Sequence, residues 1–344
     1  MMHDPASTPA GLPAGIPSGL PAGLDAFLAA AGWSDAAIEP LPGDASFRRY
    51  FRLRQASGVT AMLMDAPPPN EDPEPFLRAA HWLDDNGLRA PRILAEDAAQ
   101  GLVLLEDFGE ARMRDYLDQW PDDETAIYSA AVGELAKLHQ LPPGPFLDYS
   151  LSEYLREVRL FLDWYCTAQN LYVDSAGFSA AWEQVLAEVL PRQRPGVTVL
   201  RDYHAENIML LGSLEKQGLL DFQDALVGHP AYDLVSLLQD ARRHVSPELE
   251  AAMFDHYVQR AGADADTLLA DYATLGAQRN TKIVGIFVRL WRRDGKPRYL
   301  DLIPRVWALL ERDLAHPALA PVAAWFDSNI PAALRDADGG SFAR

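Results

Sequence analysis

The chain has 344 residues, 49% of them hydrophobic, enough for two domains or two lobes around a sizeable core. It carries 30 Lys and Arg against 49 Asp and Glu, a formal net charge of −19, and such a surface repels polyphosphate backbones, so nucleic acid is not an expected partner. A single cysteine, Cys166, excludes an intramolecular disulfide; no basic n-region opens the chain and no run of about 18 apolar residues occurs, so a cytoplasmic protein without a membrane span is expected.

Residues 1–24 include a period-four repeat (PAGL, PAGI, PSGL, PAGL) that neither a helix nor a packed strand accommodates, and read as a flexible tail. A short helix is expected at 24–31. Alternating and aromatic residues then predict strands at 45–55 and 59–67 around Ser57-Gly58. A helix at 75–87 closes on Gly87, and two more strands within 90–110 flank Gln100-Gly101. From about 112 helical periodicity dominates: 122–140, 151–169, 178–190, 231–243, 247–261, 267–292 and 298–313. Only 197–224 reads as strands again, in short pairs. The expected fold class is therefore α+β, with a small β-rich lobe over 25–107 and a larger, mainly helical lobe over 108–344. A cleft between them is the default site. Cys166, in the aromatic stretch FLDWYCTAQ, reads as core.

The stretch VLRDYHAENIMLLGS (199–213) places Asp202, His204, Glu206 and Asn207 between two apolar runs, and LLDFQDA (219–225) sets Asp221 directly after another. Two carboxylates and an amide oxygen at the ends of short strands are hard donors, suited to Mg²⁺ and not to Zn²⁺. Without a cation, two nearby carboxylates repel and one tends to hold a proton.

RDYHAEN followed by DF resembles the catalytic loop and metal-binding segment of the protein-kinase-like phosphotransferases, the bilobal fold shared by the aminoglycoside phosphotransferases. The resemblance implies Asp202 as catalytic base, Asn207 and Asp221 as Mg²⁺ ligands and ATP as phosphate donor. In HPAYDLVSLLQDARR (229–243) it implies Asp233 as a buried aspartate bracing the catalytic loop. A plain helix-start carboxylate is the alternative there.

The chain departs from the pattern in two places. No glycine-rich phosphate fingerprint occurs; LPGDASFRRYFRL (41–53) stands in its position, with Ser46, Phe47, Arg48 and Arg49 as nucleotide-binding candidates. No lysine precedes Lys137, so the strand lysine of the kinase fold is missing. Arginine can meet phosphate bidentately, and Arg48 and Arg49, expected on opposite faces of one strand, offer at most one guanidinium to the site. In LVLLEDFGE (102–110) the backbone from Glu106 to Phe108 is the candidate for an adenine edge.

Taken together, GDASFRRYFR, AMLMDAPPP, VLLEDFG, LRDYHAEN, LLDFQDALVGHPAYDLVSLLQDARR and QRNTKIVGIFVRLWRRDGK are similar to the bacterial cell-wall recycling kinases that phosphorylate N-acetylmuramate and N-acetylglucosamine at the anomeric hydroxyl. That resemblance implies an ATP-dependent sugar 1-kinase acting on a small amino sugar, expected as a monomer. His204, Glu206, Gln223, Asp224, Arg242 and Arg279 are its candidate substrate contacts. His204 is also read as a structural loop histidine, and Arg279 and Lys282 as a solvated helix flank. Two other readings stay open: a kinase of another hydroxyl compound such as an aminoglycoside, and a non-catalytic nucleotide-binding module.

Overall fold

A computed structural model describes residues 19–42 and 48–342. Most of the expected tail, together with Ser46 and Phe47, lies outside the described residues. The chain divides into two compact units. One runs up to Leu77 and resumes over Pro91–Asp107; the other comprises Arg78–Ala90 and everything from Phe108 onward.

The first unit opens with α1 (Leu24–Ala30). The strands β1 (Ala37–Pro40), β2 (Arg49–Arg54) and β3 (Thr60–Asp65) follow, then the helix α2 (Glu74–Asp85), whose residues from Arg78 on group with the second unit. The strands β4 (Ile93–Asp97) and β5 (Leu102–Glu106) complete it. The five strands make one antiparallel sheet in the order β1-β2-β3-β5-β4. Period-two alternation aims Phe51, Leu53, Ala61, Leu63, Leu102 and Leu104 at Leu24, Phe27 and Leu28 of α1, and these form the core. β1 was not expected: its four residues, ending in Pro40, carry little strand signal, and pairing with β2 supplies the order. The Gln100-Gly101 turn needs its glycine, because φ is +76° and a Cβ would meet the Ala66 carbonyl oxygen at 2.0 Å.

The second unit runs α3 (Met113–Gln119), α4 (Glu124–Gln140), α5 (Leu151–Leu160), α6 (Ser175–Val189), β6 (Val197–Val199), β7 (Ile208–Leu210), β8 (Gln217–Leu219) and β9 (Leu226–Gly228). It continues through α7 (Ala231–Leu238), α8 (Pro247–Ala261), α9 (Ala265–Asp294), α10 (Ile303–Leu314), α11 (Ala320–Asn329) and α12 (Ala332–Arg335). The short strands pair as β6 with β9 and β7 with β8, both antiparallel.

α3, α11 and α12 were not expected, and three expected helices differ in detail. The helix expected over 151–169 passes into a π-helical turn at Phe161–Cys166. α7 stops at Leu238 instead of reaching 243, because Gln239 turns out of the helix (φ −110°, ψ 48°) and bonds Asp313 and Asn280 through its buried side chain. On α9, Arg279 and Lys282 are buried, not a solvated flank. α9 runs through the middle of the unit, and Gly285 brings it against the end of α5, where a Cβ would lie 2.4 Å from the Leu160 carbonyl. No described helix is long and apolar enough to cross a membrane.

Candidate active site

The β7–β8 hairpin fixes the site locally. Asn207 immediately precedes β7 and Asp221 follows β8 by one residue, so closing the hairpin brings the two together; the Leu220 N–H donates to the Asn207 carbonyl at 2.9 Å. Asn207 Nδ2 donates to the Asp202 carbonyl at 3.0 Å and faces Asp221 Oδ2 at 3.3 Å. This turns Oδ1 of the same amide away from both. Gln223 Nε2 donates to Asp221 Oδ1 at 2.8 Å. Asp202, Asn207, Asp221 and Gln223 therefore converge, as their spacing suggested.

Arg201, the residue before Asp202, has φ +72°, and Asp221 has φ +60°. Non-glycine residues enter this left-handed region only when their surroundings compel it. Around Arg201 the compulsion has three sources. The Asp233 carboxylate accepts the Leu200 N–H at 2.6 Å and the Arg201 N–H at 2.8 Å. Ser236 Oγ donates to the Arg201 carbonyl at 3.2 Å. The guanidinium pairs with Glu157 of α5. Asp233 is thus a buried brace of the loop, with desolvation pushing its carboxyl up to about 7 despite those two N–H donors.

Cations gather under Asp202. Arg279 Nη2 lies 3.8 Å from Asp202 Oδ1 and donates to Ser236 Oγ at 2.9 Å. Lys282 Nζ reaches Glu157 at 3.1 Å and the Tyr232 hydroxyl at 2.8 Å. Desolvation works to raise the Asp202 carboxyl, but His204, Lys282, Arg279 and Arg201 outweigh it and hold the group below its ordinary value. Its side chain is 45% exposed, so an acceptor can reach it. Asp221 is shifted the other way: the protein around it and the charge of Asp202 raise its carboxyl, although its edge is open to solvent. Asp221 and Asn207 Oδ1 are hard oxygen donors that could hold Mg²⁺, which would offset the repulsion between neighbouring carboxylates.

His204 is buried, and desolvation lowers its pKa. Its Nε2 lies 3.4 Å from Arg242 Nη1. Glu206 is gripped from two sides, by Arg242 Nε at 3.0 Å and by Arg114. Asp224 is exposed, and only its carbonyl touches the loop, 3.5 Å from Arg201 Nη1. Arg279 is buried, with Nη2 3.8 Å from Asp202 Oδ1.

The nucleotide candidates need correction. Arg48 lies immediately before β2 and Arg49 opens it. Arg49 Nε bonds Asp65 at 2.8 Å and Arg48 meets Glu71 at 3.6 Å, so each guanidinium already faces a carboxylate within the first unit. The Glu106 N–H donates to the Arg92 carbonyl at 2.9 Å and is committed there. Phe108 packs its ring over Gly218, where a Cβ would come within 2.4 Å, and under the Arg89 guanidinium at 4.9 Å.

Sequence reasoning missed Glu157, Ser236 and Arg114. Glu157 carried a signal: Tyr154 and Phe161, three before and four after it, share its helix face, so a carboxylate sits in an apolar stripe.

The phosphotransferase enzyme family (APH) matches residues 37–273. An N-acetylmuramate/N-acetylglucosamine kinase of Caulobacter vibrioides is 38% identical over 353 residues, covering 90% of this chain and 96% of that protein. One of Pseudomonas aeruginosa is 38% identical over 308 residues, covering 85% and 89%. A solved choline/ethanolamine kinase family protein from Mesorhizobium loti superposes with a TM-score of 0.61 at 17% identity, covering 88% of this chain and 97% of that one; the fold is the protein-kinase-like one. The chain belongs to the phosphotransferase enzyme family.

Proposed function

We propose that the protein transfers the terminal phosphoryl group of ATP to the anomeric hydroxyl of N-acetylmuramate and N-acetylglucosamine, giving the 1-phosphate for cell-wall recycling. The observation that carries the reading is the convergence of Asp202, Asn207 and Asp221 at the foot of one hairpin. Relatives 33–38% identical and named for these two sugars support the choice of acceptor.

Asp202 is the base. Held ionised by the cations beneath it, it orients the anomeric hydroxyl and accepts its proton as the O–P bond forms and ADP leaves. An anomeric hydroxyl is more acidic than an ordinary alcohol, so a carboxylate of low pKa suffices. Asp221 and Asn207 would hold Mg²⁺, which when bound offsets charge on the donor phosphates. Positioning does most of the remaining work: Asp233, Ser236 and Glu157 hold the loop in its left-handed turn so that Asp202 needs no reordering during transfer. The missing strand lysine is the main departure, and phosphate contacts from 41–53 are proposed to stand in for it, with Arg48 or Arg49 exchanging its carboxylate for phosphate. The reaction belongs in the cytoplasm, where ATP is available.

Purified protein with ATP and Mg²⁺ should convert both amino sugars to acid-labile 1-phosphates, resolved by ³¹P NMR. Transfer to an aminoglycoside with none to either sugar would overturn the proposal.

A further inference from the structure

We infer that Arg242 is the group that recognises the carboxylate of an acidic amino sugar, and so sets the preference between the two acceptors. The inference rests on the sugar-kinase reading above.

Glu206 lies between two guanidiniums, Arg242 Nε at 3.0 Å on one oxygen and Arg114 Nη1 on the other. Glu206 is thus shared between two guanidiniums. Arg114 thereby frees Arg242 from full neutralisation by Glu206, while Glu206 fixes the plane of its guanidinium. The Arg242 backbone is also held, its N–H donating to Asp240 Oδ1 at 2.8 Å. With Nε engaged and Nη1 3.4 Å from His204 Nε2, Nη2 makes no hydrogen bond with a described residue. The side chain is 27% exposed.

The neighbouring cations are paired with carboxylates or buried. Arg201 and Lys282 share the buried Glu157. Arg279 is 3% exposed and tied to Ser236. Arg243 bonds both Asp118 and Glu124 at 2.8 Å. Arg242 thus combines solvent access with an Nη edge suited to a carboxylate, which guanidinium meets with paired N–H bonds.

The substrate chemistry matches this placement. N-acetylmuramate differs from N-acetylglucosamine by a lactyl ether on O3, which places its carboxylate on the substituent at C3, two ring carbons from the anomeric centre. Arg242 Nη1 lies 3.4 Å from Nε2 of His204, which stands two residues after Asp202 in the same loop. Under this proposal a sugar with O1 at Asp202 directs its O3 substituent toward Arg242. In a protein of net charge −19, an anionic acceptor needs such a local cation.

The test is kcat and KM for both sugars in wild type, Arg242→Gln, Arg242→Lys and Arg114→Gln, with thermal unfolding of each variant as the check of folding. Arg242→Gln should lower the muramate-to-glucosamine ratio of kcat/KM about thirtyfold, chiefly through the KM for N-acetylmuramate, as expected for loss of a charge-assisted pair. Arg242→Lys should lose less, and Arg114→Gln should shift the ratio the same way. Should Arg242→Gln fail to fold, the other two variants decide. An unchanged ratio across the folded variants overturns the role of Arg242 and leaves the sugar kinase standing. Wild-type transfer to neither sugar instead removes the reading on which the inference rests.

Discussion

Glu157 and Arg201 form an ion pair that ties α5 to the residue immediately before Asp202. The same carboxylate also takes Lys282 Nζ at 3.1 Å, Gln278 Nε2 at 3.2 Å and the Tyr149 hydroxyl, and it is 1% exposed. Desolvation would raise its pKa, but Lys282 and Arg201 hold it down to about 2. Glu157→Gln leaves two largely buried cations without a counter-charge. It should lower stability by about 3 kcal/mol, read from urea unfolding, and lower kcat more than it raises KM because Arg201 loses one of its three anchors. An unfolding midpoint equal to wild type would show that the cluster contributes little.

Asp202→Asn should lower kcat at least about a hundredfold with the unfolding temperature nearly unchanged, since the half-exposed side chain contributes to proton transfer and little to packing. Because its folded pKa lies below the ordinary Asp value, the wild-type rate should show no acid limb from this group near neutrality. Asp221→Ala should instead raise the Mg²⁺ concentration needed for half-maximal rate, measured by Mg²⁺ titration at saturating ATP. Near-normal turnover in both variants would remove these residues from the site.

Asp313 on α10 accepts Gln239 Nε2 at 2.9 Å and Asn280 Nδ2 at 3.1 Å, and burial pushes its carboxyl from 3.8 up to about 8. The folded protein therefore keeps a proton that the unfolded chain has released across that interval. Its contribution to stability is complete below about 4, declines as pH rises, and levels off above about 8. The difference in unfolding free energy between wild type and Asp313→Asn should fall over this window. A pH-independent difference would mean that Asp313 ionises normally.

Gly285→Ala should destabilise the second unit by about 3 kcal/mol, at the upper end of overpacking costs. The new methyl would meet backbone, Leu160 C and O at 2.4 Å and Phe161 N at 2.7 Å, which cannot rotate aside. Chemical denaturation measures it, and a loss below about 1 kcal/mol would show that α5 shifts to accommodate the methyl.

Asp202, Asn207 and Asp221 were legible in the sequence because the hairpin is local: Asn207 and Asp221 are 14 positions apart, and strand periodicity with a turn between forces them together. Most strands and helices followed from the same short-range signals; β1, α3, α11 and α12 did not, and Gln239 ends α7 early. The surroundings of the loop were not legible. Glu157 meets Arg201 across 44 positions and Lys282 across 125, and Arg114 meets Glu206 across 92. Periodicity reports which face of a helix is apolar but not which distant charge will share it. Arg279 and Lys282 therefore read as a solvated flank until tertiary packing set Arg279 beside Asp202 and Lys282 against Glu157 of α5, counter-charges that offset the cost of burying them.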